Sequence, residues 1–258
     1  MSELAEKVRG VARNLGYVPN VHARQLAGGT TSVIGLIVHE IDDPFFTEIA
    51  GGIVRSALAE NLMVQVSHSG RDPEQELQEI TTLVVQDVDG IIIAGSGYVD
   101  PAKEAGAKEI LRAYQQRGGR VAVIGRHHLG VDAVLPDNVA VGALAGQHLV
   151  GLGHRDVVVA SGSDQLTTIA DRLTGICSAF QKVGIQPTVL EEAFSLSGGA
   201  RIASRIALSR TGCHCCLGMQ SLCLRQRSLF TQWRGWCQAS SLGRASGSLP
   251  RRTSKVLE

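Results

Sequence analysis

Apolar residues along the chain fall into short blocks that alternate between two rhythms. Val33, Ile34, Leu36, Ile37 and Val38 form a run too continuous for a strand with one wet face. It predicts a parallel strand covered on both sides. Behind it Phe46, Ile49, Ala50, Ile53 and Ala57 recur at helical spacing, so a helix packs back on that strand. Asp43 stands where a helix N-cap would, and Pro44 takes the favoured first helical position. The alternation continues with a strand Leu62–Val66 and a helix opened by Asp72-Pro73 that turns Leu77, Ile80 and Val84 inward. A strand Gly90–Ala94 precedes a helix through Ile110, Leu111 and Tyr114. Next come a strand Arg120–Ile124, a short strand Ala133–Leu135 and a helix Val139–Leu152. A strand Asp156–Ala160, a helix through Ile169, Leu173, Ile176 and Phe180, and a strand around Thr188–Leu190 follow. This order predicts an α/β fold with right-handed, doubly wound parallel sheet. No internal repeat of solenoid period is present.

The two ends read differently. Leu4, Val8, Val11, Ala12 and Leu15 line one face of a helix over residues 2–15 that stops at Gly16. Tyr17-Val18-Pro19-Asn20 breaks it, and VHARQLAGGTT is a second, short helix-capable segment. From pattern alone an ordinary linker is the plainer reading of that segment. From Ala193 onward no period of 2 or 3.6 is read, the only acidic residue is Glu258, and ten residues are basic. Both tryptophans and five of the six cysteines lie there. Such a compositional break resembles translation in a shifted reading frame, and residues 193–258 are expected to be a disordered, aberrant tail.

Composition narrows the class. A hydrophobic content of 44% is globular, and a formal charge of +1 carries no global signal for nucleic acid or acidic partners. No basic start is followed by an apolar run, and no run approaches the ~20 residues of a membrane span. The expectation is a cytoplasmic protein with no membrane partner. Asp43, Phe45 and Phe46 follow a predicted strand end, where open α/β sheets bind ligands. An aromatic ring with a carboxylate suits a hydroxylated ligand, although a helix cap with core phenylalanines explains the same residues. Phe46 faces inward and favours the core; Phe45 is open between the two.

Other motifs point away from catalysis. Gly95-Ser96-Gly97 lacks the third glycine of a dinucleotide loop, and no P-loop exists. His127-His128 are adjacent residues that point apart, with no carboxylate partner evident. Cys213-His214-Cys215-Cys216 lacks the second paired half of a zinc site. No nucleophile elbow is present. No enzyme, cofactor or metal is expected.

NLGYVPNVHARQLAGGTTSVIGLIV, then DDPFF, DPEQELQ, VDGIII, VIGR, Asp137-Asn138, GHRDVVVASG and DRLTGICSAF occur in an order and spacing that resemble the lactose-repressor/galactose-repressor (LacI/GalR) family of bacterial regulators. The resemblance covers residues 2 to about 185. It implies two-lobed, periplasmic-binding-protein-like parallel sheets, a homodimer, operator DNA as partner, and a carbohydrate-like effector bound between the lobes. It makes residues 1–30 the remnant of a DNA-binding headpiece and residues 31–192 the effector-binding core, with the second lobe incomplete. Asp43, Phe45, Phe46, Ser96, Arg126, Asp137 and Arg172 become effector contacts; surface charge is the plain alternative for the last three. Asn20, His22, Ala23, Arg24 and Leu26 become a hinge helix, Leu26 serving as a wedge in the minor groove. The family's helix-turn-helix before Ser2 and its later Asn-Asp and Gly-Phe-Asp-Asp segments are not read in this chain. The expectation is therefore a regulator weakened in effector affinity and in operator selectivity. A solute-binding module without a DNA role is the alternative.

Overall fold

The structure is a computed structural model, and it describes residues 3–17, 31–193, 195–208 and 215–218. The chain divides into two compact units, one ending at Pro136 and the other beginning at Asp137. The first contains α1 (Glu3–Asn14), β1 (Val33–Val38), α2 (Pro44–Ala59), β2 (Met63–His68), α3 (Pro73–Val85) and β3 (Gly90–Ala94). A 3-10 turn (Pro101–Glu104), α4 (Ala105–Gln116), β4 (Arg120–Ile124) and β5 (Asp132–Val134) complete it. Its five described strands are all parallel, in the order β2-β1-β3-β4-β5.

The period of 2 explains how a continuous apolar run serves two faces. Ile37, Ile91, Ile93, Val121 and Val123 turn one way, onto Ile80 and Leu83 of α3 and Leu111 and Tyr114 of α4. Leu36, Val38 and Ala94 turn the other way, onto Phe46 of α2, with Ile49, Ala50 and Ile53 around them. Asp43 caps α2, its carboxylate accepting from Phe45 N at 3.0 Å, and Asp72 caps α3 by accepting from Glu74 N at 3.0 Å. Both helices then start on proline, whose missing N–H leaves one fewer donor to satisfy.

The second unit contains α5 (Asn138–Gly151), β6 (Val157–Ser161), α6 (Thr167–Gln181), β7 (Thr188–Glu191), α7 (Leu196–Leu208) and β8 (Cys215–Gly218). Its described strands are parallel in the order β7-β6-β8. Helices α5 and α6 touch backbone to backbone. A Cβ on Gly175 would lie 2.0 Å from Val139 O, and one on Gly142 would lie 2.1 Å from Arg172 O.

Two expectations are corrected. Strand–helix alternation does not stop near residue 190: α7 spans thirteen residues, and β8 pairs Cys215–Gly218 with Val157–Ala160. In α7, Ile202 is buried, while Arg201 and Arg205 both reach Glu192, at 2.8 and 3.7 Å. The basic residues there belong to one face of an amphipathic helix. On α3 the inward set is Glu76, Ile80 and Leu83, with Leu77 and Val84 only half-buried beside it. The apolar stripe of α1, including Leu4, Val8 and Val11, is exposed. The expected hinge residues 20–26 lie outside the described residues. No described helix is long and apolar enough to cross a membrane.

Two measurements check this packing. Gly175→Ala drives a methyl group into the Val139 carbonyl and should destabilise the chain by about 1–3 kcal/mol, the usual scale of overpacking, in urea unfolding. Gly151→Ala, which meets nothing within 4 Å, should leave the midpoint unchanged or slightly raised. In hydrogen exchange, the ladder amides of β6 and β8 should be protected together; free exchange across Cys215–Gly218 would remove β8 from the sheet.

Candidate functional site

In the first unit the strand order reverses direction between β1 and β3, since β1 leads outward to β2 on one side while β3, β4 and β5 extend on the other. Crevices at the carboxyl ends of parallel strands open at such a switch point. Four loops leave that edge: those after β1 (His39 to Asp43), β2 (Ser69 to Asp72), β3 (Gly95 to Asp100) and β4 (Gly125 onward). The third and fourth are stitched together, Gly97 N donating to Arg126 O at 3.1 Å. A Cβ on Gly97 would stand 2.4 Å from that oxygen. The Gly95-Ser96-Gly97 run therefore serves a close backbone approach.

An acid–base clasp forms the rim. Arg71 Nη1 donates to Glu40 Oε1 at 2.9 Å, and its Nη2 lies 3.7 Å from Asp43 Oδ2. Asp43 is buried, one oxygen capping α2 and the other without a hydrogen-bond partner. Phe45 is 48% exposed and meets Phe46 edge-on at a centroid distance of 5.2 Å. Phe46 itself is a core residue, tilted against the His39 ring at 5.7 Å. Ser96 is buried, and its hydroxyl donates to Gly97 O at 3.1 Å.

Beneath the rim lies a buried group that the amino-acid pattern does not reveal. His39 Nε2 is 3.8 Å from Glu76 Oε2, and His127 Nδ1 is 2.7 Å from Glu104 Oε1. Glu104 Oε2 accepts from His128 N at 2.6 Å, and His127 Nε2 is 3.3 Å from Gly95 O. Burial pushes Glu76 up to about 7, with the Glu104 carboxylate adding to the shift and His127 opposing it. Burial pulls His39 down to about 3, aided by the charges of Arg71 and His127, so this imidazole is neutral. The sequence-based view of His127 as lacking a carboxylate is thereby corrected: Glu104 is in contact and Glu76 is close. The available signal was Glu76 at helical spacing with Ile80 and Leu83, a carboxylate on an apolar face.

In the second unit Asp137 is exposed and caps α5, accepting from Ala140 N at 2.8 Å. Arg172 is half-buried, and its Nε donates to Asn138 Oδ1 at 2.9 Å; burial lowers its pKa. The structure thus places Asp43, Ser96 and Arg126 on strand-end loops of the first unit and Phe45 in the first turn of α2, and joins Arg172 to the residue after Asp137 in the second.

Residues 31–206 match the model of the family described as periplasmic binding proteins and sugar binding domain of LacI family. The chain belongs to this family. Among curated relatives of this LacI-family chain, the maltose regulon regulatory protein MalI of Escherichia coli is 33% identical over 183 residues. That match covers 70% of this chain and 51% of MalI. The HTH-type transcriptional regulator DegA of Bacillus subtilis is 29% identical, covering 78% of this chain and 60% of DegA. The chain therefore spans about half to three-fifths of the length of these curated relatives. The Cra transcriptional dual regulator of Pseudomonas putida, solved in complex with fructose 1-phosphate, superposes with a TM-score of 0.65 at 18% identity. That superposition covers 79% of this chain and 74% of Cra. The lac repressor dimer bound to operator and the anti-inducer ONPF superposes with a TM-score of 0.66 at 23% identity. It covers 78% of this chain and 60% of the repressor chain. These likenesses show the fold: two-lobed, periplasmic-binding-protein-like α/β. The relatives carry the names of regulators rather than of enzymes.

Within this LacI-family site the two roles of Asp43 separate by substitution. Asp43→Ala removes the cap and should lower stability by about 1 kcal/mol in thermal or urea unfolding. Asp43→Asn keeps a capping oxygen while deleting the charge beside Arg71, and should recover most of that loss.

Proposed function

We propose that this chain is the effector-binding core of a DNA-binding transcriptional regulator, that its effector is a carbohydrate or carbohydrate phosphate, and that it acts as a cytoplasmic homodimer. The family match over residues 31–206 carries this reading. The chemistry of the rim supports it. A guanidinium fork flanked by Glu40 and Asp43 offers charged donors and acceptors for vicinal hydroxyls, and the exposed Phe45 ring offers a flat apolar face. Ser96 and Arg126 on the neighbouring loops, and Asp137 and Arg172 in the second unit, are proposed as further effector contacts, each set on its own unit. The printed names of the relatives point the same way: a maltose regulon regulator by sequence, and a fructose 1-phosphate complex by fold. Residues 1–30 are proposed to belong to the DNA-binding part, Asn20, His22, Ala23, Arg24 and Leu26 contacting the minor groove. Residues 31–192 are proposed as the effector core.

Calorimetry against pentoses, hexoses and their phosphates tests the effector. One class should bind, and Arg126→Ala or Arg172→Ala should weaken it about ten- to a hundredfold, the loss of a charged hydrogen bond. Failure of the whole panel would overturn the carbohydrate reading. A fluorescence titration of the chain on palindromic DNA near its gene, with Leu26→Ala beside it, separates the regulator from a solute-binding module. In the module, Leu26→Ala would change nothing.

A further inference from the structure

We propose that Glu76, Glu104 and His127, with His39 as a fourth donor, form a binding site for a divalent transition-metal ion such as Zn²⁺ beneath the strand ends of the first unit. One ligand atom from each of the first three lies within 4.8 Å of the others. His39 Nε2 approaches Glu76 Oε2 to 3.8 Å. The site is built rather than incidental. The side chains of Glu76, Glu104, His127 and His39 are each at most 3% exposed, and four separate segments deliver them: the β1 end, α3, the 3-10 turn and the β4 loop.

Two further observations point to a cation. Glu76 Oε2 and His39 Nε2 are both buried with no hydrogen-bond partner. Unpaired buried polar atoms of this kind are rare, because each loses its hydration without compensation. The second is the orientation of His127. Its Nε2 lies 3.3 Å from the carbonyl of Gly95 and its Nδ1 lies 2.7 Å from Glu104 Oε1. In the Nε2–H tautomer the Nδ1 lone pair and the carboxylate converge on one point, where a metal ion would be shared; in the other tautomer Nδ1–H donates to Glu104. With a metal bound, the Nε2–H to carbonyl bond is the outer contact that orients metal-ligating histidines. Donor atoms around a tetrahedral ion stand about 3.3 Å apart, so His127 and Glu104 would separate slightly and His39 would draw in. Two imidazoles with two carboxylates suit Zn²⁺, Fe²⁺ or Mn²⁺ better than Mg²⁺, which prefers an all-oxygen shell. The competing explanation is a proton: an Nδ1–H of His127 donating to Glu104.

The test uses the full chain with its cysteines alkylated, which silences the thiols of residues 213–237, and stripped of metal by a chelator. Zn²⁺ is titrated by calorimetry with Mg²⁺ as competitor. One Zn²⁺ per chain should bind at micromolar concentration or below, unaffected by excess Mg²⁺. Glu76→Gln, nearly isosteric, should weaken it at least about tenfold, on the scale of 1.4 kcal/mol per decade. Glu74→Gln on the exposed side of α3 should leave it unchanged. His127→Gln gives an independent reading should Glu76→Gln fail to fold. Co²⁺ bound to the alkylated chain should show the visible absorption of nitrogen–oxygen ligation, lost in His127→Gln. Absence of Zn²⁺ binding, or equal binding by wild type and both variants, would overturn the site in favour of the proton.

Discussion

Parallel pairing of β1 on both its edges is the constraint from which the first unit follows. Val33–Val38 registers against Met63–His68 on one side, and Ile34–Val38 against Gly90–Ala94 on the other. A strand paired in parallel cannot turn straight back; each connection needs a crossover, and the right-handed sense places helices on both faces. Both faces of β1 must then be apolar, which is why Leu36, Ile37 and Val38 run without interruption. The same geometry brings every carboxyl strand end to one edge. Residues 39, 95 and 125, each one past a registered strand end, therefore sit beside one another although far apart in sequence.

That distinction marks what could be read from the chain. Strand cores and capped helix starts are local properties: an apolar run, or Asp-Pro before a periodic segment, carries its own explanation. β3 and β4 fall where the pattern places them, and the Asp43 cap forms as its position implies. The buried cluster is not local. Its members come from positions 39, 76, 104 and 127, and none carries a signal until lateral register puts four segments together. Glu76 was hidden by a choice of face, since counting only apolar positions selects Leu77 and Val84 over Glu76 and Leu83. The fates of Asp43 and Asp137 show the limit from the other side. Both cap helices, but one is buried beside an arginine and the other is exposed.

Over residues 195–208 composition misleads and the helical period is easily missed; beyond Leu208 only Cys215–Gly218 are among the described residues. The stretch after Ala193 is poor in acid and rich in arginine, and that bias suggests an unstructured tail. Ile202 and Ile206 are nevertheless four apart, as are Arg201 and Arg205 one position earlier. The arginines pair with Glu192, the residue just after β7, while Ile202 is buried. An excess of one charge sign over a short window is thus compatible with a helix whose charged face has an acid within reach. Backbone pairing is blinder still to composition, and β8 joins β6 through main-chain groups that any residue but proline supplies.

The buried cluster and the rim share their loops, and this links the proposed ion to the proposed effector. His39 is followed directly by Glu40, which accepts from Arg71 Nη1. Glu104 accepts from His128 N and contacts His127, which immediately follows Arg126. Ser96 lies between Gly95, whose carbonyl meets His127, and Gly97, whose amide meets Arg126. Any occupant that draws His39 and His127 together would therefore act on the loops bearing Glu40, Ser96 and Arg126. A ligand shifts an equilibrium only through a difference in its affinity for the two states. An ion bound by four donors on four segments has such a difference built in, because loosening any one loop removes a ligand. By reciprocity, an effector that tightens those loops would raise the affinity for the ion by the same factor that the ion raises affinity for the effector. Coupling of this kind would give one sensor two chemical inputs through a single packed layer.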